Sequence, residues 1–465
     1  MNKIKYLIGN SVIFAIGNLG SKLISILLVP LYTYFLTKQE YGTVDLITNT
    51  ASLLLPIVSM SAYDAVLRFV MDKSTDNKQV FTNAILITST GALIFLGILP
   101  LVSLFHVSHL IYFYIILVLQ AFNSTFIQYA RAIGQVKVFA FNGILGTLVT
   151  GVSNIILLVY LKQGIQGYLL SIIFASLISS MYVFLRLHLS KSIKLILLNK
   201  TLIKQMLIYG VPLIPNALAW WATNTSSRYF ILYFIGVGAN GLFAVANKIP
   251  NLLSMLNSIF FQAWQMSAIE EYGSEKKSEF YSDVFNYYSQ MMFLATAFIL
   301  FVIRPFMSVF VSDAFYKAWM LIPLLLFSVL YSSFASFLGT NYIAAKQTMG
   351  IFYTTIISAI INVTLNLLFV PLIGANGAGL SSCISFFVMW LIRIRDTRRY
   401  ISIKLNVNNI IFNHAILIVQ TLILYLPLNL KLLMIVESVL FILALIANSA
   451  FIKGSLQLVK SILKK

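Results

Sequence analysis

Apolar runs of about twenty residues, separated by short polar breaks, recur along the whole chain. A run of that length forms a helix long enough to cross about 30 Å of hydrocarbon. The pattern predicts fourteen spans, at 11–36, 43–63, 80–104, 108–130, 141–161, 165–186, 206–235, 241–265, 284–311, 318–343, 350–373, 375–394, 409–428 and 430–452. The expected fold class is an all-α integral membrane protein. The first run is too long for a cleavable signal peptide and lacks a small-residue cleavage site, so it reads as an anchor.

The pattern also repeats at a larger scale. Sliding the chain by 199 residues pairs FLTKQEYGTVDLI (35–47) with FIGVGANGLFAVA (234–246) and aligns Gly42 with Gly241. Sliding by 212 pairs NIILLVYLKQGIQG (154–167) with NLLFVPLIGANGAG (366–379), aligning Asn154 with Asn366 and Gly167 with Gly379. Six spans per half give both halves one orientation, so their pseudo-two-fold axis should run along the membrane normal. The expected organisation is a six-helix lobe at 1–187, a linker at 188–205, a second six-helix lobe at 206–395, and two appended spans with a tail at 396–465.

Polar residues interrupt four spans in particular. In the first, Ser11, Asn18, Lys22 and Ser25 share one helical face. Asp45, Asn49, Ser52 and Ser59 do so in the second, and Asn216, Trp220, Asn224 and Arg228 in the seventh. In the eighth, the set is Lys248, Asn251, Ser258 and Gln262. The offset of 199 maps Lys248 onto Asn49, Asn251 onto Ser52 and Ser258 onto Ser59. Asn and Ser also serve as hydrogen-bonding glue between membrane helices. That reading covers the cations poorly, because an intramembrane Lys or Arg costs about 3 kcal/mol and usually faces water or a pathway. Snorkelling or pairing with Asp45 is the alternative for each. Asp45 is the one clear acid in the four spans, so the surplus of positive charge implies a cavity built for an anion. Helix rise puts Arg228 and Lys248 about 10 Å below the outer surface and Lys22 about 20 Å below it. Pro30, Pro56, Pro212, Pro215 and Pro250 fall in the same spans, where a lost backbone bond favours kinks.

Composition supports the membrane reading. The 465 residues are 60% hydrophobic and 10% charged, against about half and a quarter in soluble domains. The net charge of +19 is distributed by topology: twenty-four of the 32 Lys and Arg, Arg393 among them, fall on one side and five on the other. That bias places both termini in the cytoplasm and suits anionic membrane lipids; it does not suggest nucleic acid. Cys383 is alone and the four histidines are scattered, so neither a disulfide nor a metal is expected. No phosphate-cradling glycine loop followed by Lys-Ser/Thr is present, and no cofactor is expected.

GVPLIPNALAWWATNTSSRYFILYFIGVGANGLFAVANKIP (210–250) resembles the seventh and eighth spans of the polysaccharide exporters in the multidrug/oligosaccharidyl-lipid/polysaccharide (MOP) superfamily. FLTKQEYGTVDLI resembles their junction between spans 1 and 2. The resemblance extends over essentially the whole chain and is to an O-antigen (Wzx-type) flippase. One departure is Ser227-Arg228, where that family often has Asp-Arg. The resemblance implies a membrane flippase of lipopolysaccharide or capsule synthesis in the bacterial inner membrane. Its substrate would be a glycan on undecaprenyl pyrophosphate, and its partners a polysaccharide polymerase and a chain-length regulator. On that reading Lys22, Arg228 and Lys248 meet the diphosphate by alternating access between the halves. Asn18, Asn49, Asn224, Asn251 and the Trp220–Trp221 pair meet sugars, and Asp45 is the candidate for ion coupling. Two other readings compete. A cation-coupled multidrug exporter would want acids in the cavity. A membrane polymerase or glycosyltransferase would want paired carboxylates on outer loops, where only Glu40 and Asp313 occur.

Overall fold

The computed structural model describes residues 20–71, 75–104, 108–345, 347 and 349–454, and among them all regular structure is helical. The helices are α1 (Gly20–Phe35), α2 (Lys38–Val58), α3 (Ala62–Met71), α4 (Asn77–Ser103), α5 (Leu110–Ala132), α6 (Val136–Asn154, continued as a π-helical turn) and α7 (Gly164–Arg186). After a short irregular connection come α8 (Lys200–Gly210), α9 (Leu213–Thr225), α10 (Ser227–Phe234), α11 (Val237–Lys248) and α12 (Pro250–Glu271). The remainder are α13 (Lys277–Phe310), α14 (Ile322–Ala344), α15 (Met349–Ile373), α16 (Ala375–Thr397), α17 (Val407–Leu424) and α18 (Leu430–Ala447). They form two compact units, Met1–Thr225 and Ser226–Lys465, so the division falls inside the predicted seventh span.

Every predicted span is mostly helical over its described part, but the count of fourteen is not reached by length and apolarity. Among the described residues eleven helices are long and apolar enough to cross a membrane, or twelve if the pair α2 and α3, bent by 53°, is one span. The predicted first span contains the shorter apolar helix Gly20–Phe35, and the predicted eighth overlaps another, Val237–Ala246. A turn at Ile249, before Pro250, separates α11 from α12 within the eighth, and α12 is long enough but too polar to count.

Proline accounts for several such breaks. α2 ends two residues after Pro56, α8 ends just before Pro212, and Pro30 follows a turn at Leu28. At the α2–α3 bend Met60 and Ser61 both take positive φ of 49°, a conformation that costs side-chain-bearing residues about 1–3 kcal/mol each. Glycines admit the bent backbone. A Cβ on Gly91 of α4 would lie 1.9 Å from the Val58 carbonyl oxygen, and one on Gly210 would lie 2.8 Å from that of Met60.

Each unit, taken by itself, has the same neighbour pattern. In the first, α7 packs on α5 and α6; in the second, α16 packs on α14 and α15. These are the fourth-to-sixth and tenth-to-twelfth predicted spans, as the repeat expects. The aligned residues also behave alike. Asn154 and Asn366 are fully buried, and a Cβ on Gly167 or Gly379 would crowd a neighbouring side chain at 3.0–3.1 Å. α17 and α18 pack on each other and on α13.

Buried polar side chains fasten these bundles. Asn123 of α5 donates to Ser180 Oγ at 2.9 Å and receives Asn142 Nδ2 at 3.4 Å. Asn362 of α15 reaches Ser382 and Ser385 of α16 at 3.3 Å each. Arg393 extends the theme. The sequence counts it among the cytoplasmic charges, yet it is 3% exposed. Its Nε donates to Thr354 Oγ1 at 3.0 Å, one terminal nitrogen to the Ala335 carbonyl at 2.8 Å, and the other to Thr355 Oγ1 at 3.2 Å. One guanidinium therefore joins α14, α15 and α16, and its planar fork suits that task better than an ammonium.

Candidate functional site

The junction stretch FLTKQEYG builds a helix start. Thr37 caps α2: its hydroxyl accepts from the Glu40 N–H at 3.2 Å, and the Glu40 carboxylate accepts from the Thr37 N–H at 2.9 Å. This reciprocal cap fixes where α2 begins. Glu40, read from sequence as an outer-loop acid, is thus occupied in the backbone. Two turns on, Asp45 is half-buried, and its carbonyl accepts from Asn49 Nδ2 at 2.7 Å.

Asn49 also receives a neighbour. Trp221 of α9 donates its indole N–H to the Asn49 carbonyl at 3.0 Å, tying α9 to α2 within the first unit. The tryptophan pair therefore divides its labour. Trp221 commits its polar edge to packing, while Trp220 stays 47% exposed. Asn224, one turn after Trp220, is exposed and donates to the Trp220 carbonyl at 2.8 Å. Lys22 is exposed on α1, and Ser25 on the same face donates back to the Ser21 carbonyl. Asn18 and Ser11 lie outside the described residues.

In the second unit Arg228 sits in the first turn of α10, half-buried, with its guanidinium carbon 5.8 Å from the centre of the Phe243 ring of α11. That is cation–π range, and Phe243 is itself buried. Lys248 is the last residue of α11, where carbonyls left by the break at Ile249–Pro250 favour a cation. Asn251 is exposed in the first turn of α12. Ser258 and Asn247 donate to carbonyls of their own helices at 2.8 and 2.7 Å.

The structure thus places Lys22, Asp45, Asn49, Trp220 and Asn224 in the first unit, and Arg228, Lys248 and Asn251 in the second. It joins Asp45 with Asn49 along α2 and sets Arg228 against the helix that ends in Lys248. Sequence reasoning missed Trp221 as a strut and Arg393 as a tie. Neither had a signal, since both depend on partners more than thirty residues away. Among the described residues no group of three His, Cys, Asp or Glu could hold a metal.

Comparison with known proteins gives a consistent picture. The polysaccharide biosynthesis protein family matches residues 7–265. No curated protein matches the chain. Among solved structures, the lipid II flippase MurJ in an inward closed conformation aligns at a TM-score of 0.70 and 13% identity, covering 97% of this chain and 99% of that one. An inward-facing multidrug resistance MATE family transporter of the MOP superfamily aligns at 0.68 and 16%, covering 82% and 94%. A MOP superfamily transporter from Pyrococcus furiosus, for which reverse polarity of the binding pocket suggests a different function, aligns at 0.60 and 16%, covering 86% and 96%. At these identities the likeness establishes the fold.

Proposed function

Because this chain belongs to the polysaccharide biosynthesis protein family, we propose that it is a lipid-linked oligosaccharide flippase rather than an enzyme. It moves a glycan carried on undecaprenyl pyrophosphate across the bacterial cytoplasmic membrane by alternating access, with both termini in the cytoplasm. A polysaccharide polymerase and a chain-length regulator are its partners. The fold it shares with a lipid II flippase supports this reading. The observation that carries it is the sign of charge in the polar spans. Lys22, Arg228 and Lys248 lie in segments otherwise made to sit in lipid, and a diphosphate repays the cost of keeping them there. The aromatic platform at Trp220 and the amides of Asn18, Asn49, Asn224 and Asn251 offer stacking and hydrogen bonds to sugars. Asp45 is the acid in these spans through which an ion would couple.

A multidrug exporter is the second reading, favoured by the shared fold with a multidrug transporter. It is opposed by the same charges, because a cationic drug is repelled where a diphosphate is held. The deciding experiment deletes the gene and isolates polyprenyl-linked glycans. Accumulation of one lipid-linked repeat unit, with a defined sugar composition, is the expected result. Unchanged lipid-linked glycans together with new sensitivity to cationic drugs would replace this reading with the second one.

A further inference from the structure

The two helices that follow the repeat bury a carboxyl group. Glu437 of α18 and Gln420 of α17 are both fully buried. Gln420 Nε2 gives one hydrogen to the Ala297 carbonyl of α13 at 3.3 Å and the other to Glu437 Oε2 at 2.9 Å. The Ala297 carbonyl fixes the orientation of the amide, since turning it over would set two carbonyl oxygens together. Two atoms then remain. Glu437 Oε1 and Gln420 Oε1 are each buried with no hydrogen-bond donor.

An ionised carboxylate served by a single neutral donor is strongly disfavoured in such a place. No compensating cation is bonded to it among the described residues. Along α13, α17 and α18 the nearest charged or titratable side chains are Arg304, His414, Tyr425 and Lys431, each five to seven residues along its helix from Ala297, Gln420 or Glu437, or about 8–10 Å. Each is engaged elsewhere or turned outward. Arg304 lies 5.0 Å from the centre of the Trp319 ring and donates to the Leu424 carbonyl at 3.4 Å. His414 Nδ1 is bonded to the Ile410 carbonyl, Tyr425 donates to the Met320 carbonyl, and Lys431 is exposed.

One proton satisfies both orphaned oxygens. Placed on Glu437 Oε1, it donates to Gln420 Oε1 and closes a cyclic acid–amide pair with the existing Nε2–H to Oε2 bond. We propose that Glu437 is a proton-binding site, its carboxylate taking a proton from the aqueous phase, and that the resulting pair with Gln420 pins α17 and α18 on α13. The site lies outside the internal repeat and is independent of the glycan reading. The test is infrared spectroscopy of the purified full chain in lipid at neutral pH. The expected spectrum contains a protonated-carboxyl C=O band that Glu437→Gln abolishes. In Gln420→Leu the same band moves to higher frequency as its partner is lost. Wild-type protein without the band overturns the proposal, as does a band that Glu437→Gln leaves intact. A band that Gln420→Leu leaves in place overturns the pairing.

Discussion

In α15 and α16 polar side chains cross between helices, with Asn362 reaching Ser382 and Ser385 and Arg393 joining α16 to α14 and α15, beside others such as Asn366, Ser381 and Thr397 that donate within their own helices. In α1, α2, α9 and α12 they turn back. Ser25, Asn49, Ser52, Asn224 and Ser258 each donate to a carbonyl three or four residues earlier on the same helix. Both sets are Asn and Ser in apolar helices, so composition does not separate them. The difference is what each is available to do. A side chain spent across an interface fastens helices. One that satisfies itself locally keeps its helix soluble in lipid without spending that side chain on a neighbour, and leaves its remaining polar atoms to meet a substrate. Pro30, Pro56, Pro215 and Pro250 fall in this second set, while Pro371 lies inside α15.

The contrast is open to attack first at Arg393. Arg393→Leu removes three bonds to two neighbouring helices and should cost roughly 2–5 kcal/mol, seen as loss of folded protein from the membrane and a lower thermal midpoint. Arg393→Lys should recover only part, because an ammonium lacks the fork. A fully stable Arg393→Leu protein would end the claim that this set fastens the fold.

Arg228→Glu should do the reverse: glycan export stops while membrane abundance stays near normal. If export falls only in proportion to folded protein, Arg228 belongs with the fastening residues. Lys22→Ala follows, with normal assembly and strongly impaired export, and Lys22→Arg should retain part of it. Normal export by Lys22→Ala would mean that the lysine merely snorkels.

The smallest effect sharpens the comparison inside one dipeptide. Trp221→Phe loses a single interhelical bond and should lower stability by about 1 kcal/mol with little change in export per folded molecule. Trp220→Ala should leave the thermal midpoint unchanged and lower export. Exchange of these two outcomes would reverse the roles assigned to the pair.

The spans over most of the chain, the two-fold repetition and the breaks beside Pro30, Pro56, Pro212 and Pro250 were legible along the chain, while the break at Ser226 was not. The bilayer sets span length, proline removes a backbone donor wherever it stands, and a repeat is a property of order along the chain. The T-x-x-E cap at 37–40 is a local signal that the reading of Glu40 as a loop acid passed over. The family was legible because its quoted stretches are continuous. Tertiary contacts alone separated Trp220 from Trp221, spent the Arg393 guanidinium on α14 and α15, and closed Glu437 against Gln420. Each of these depends on which atoms lie opposite, and a hydrogen bond acts over about 3 Å while the residues that make it lie up to a hundred or more apart in the chain.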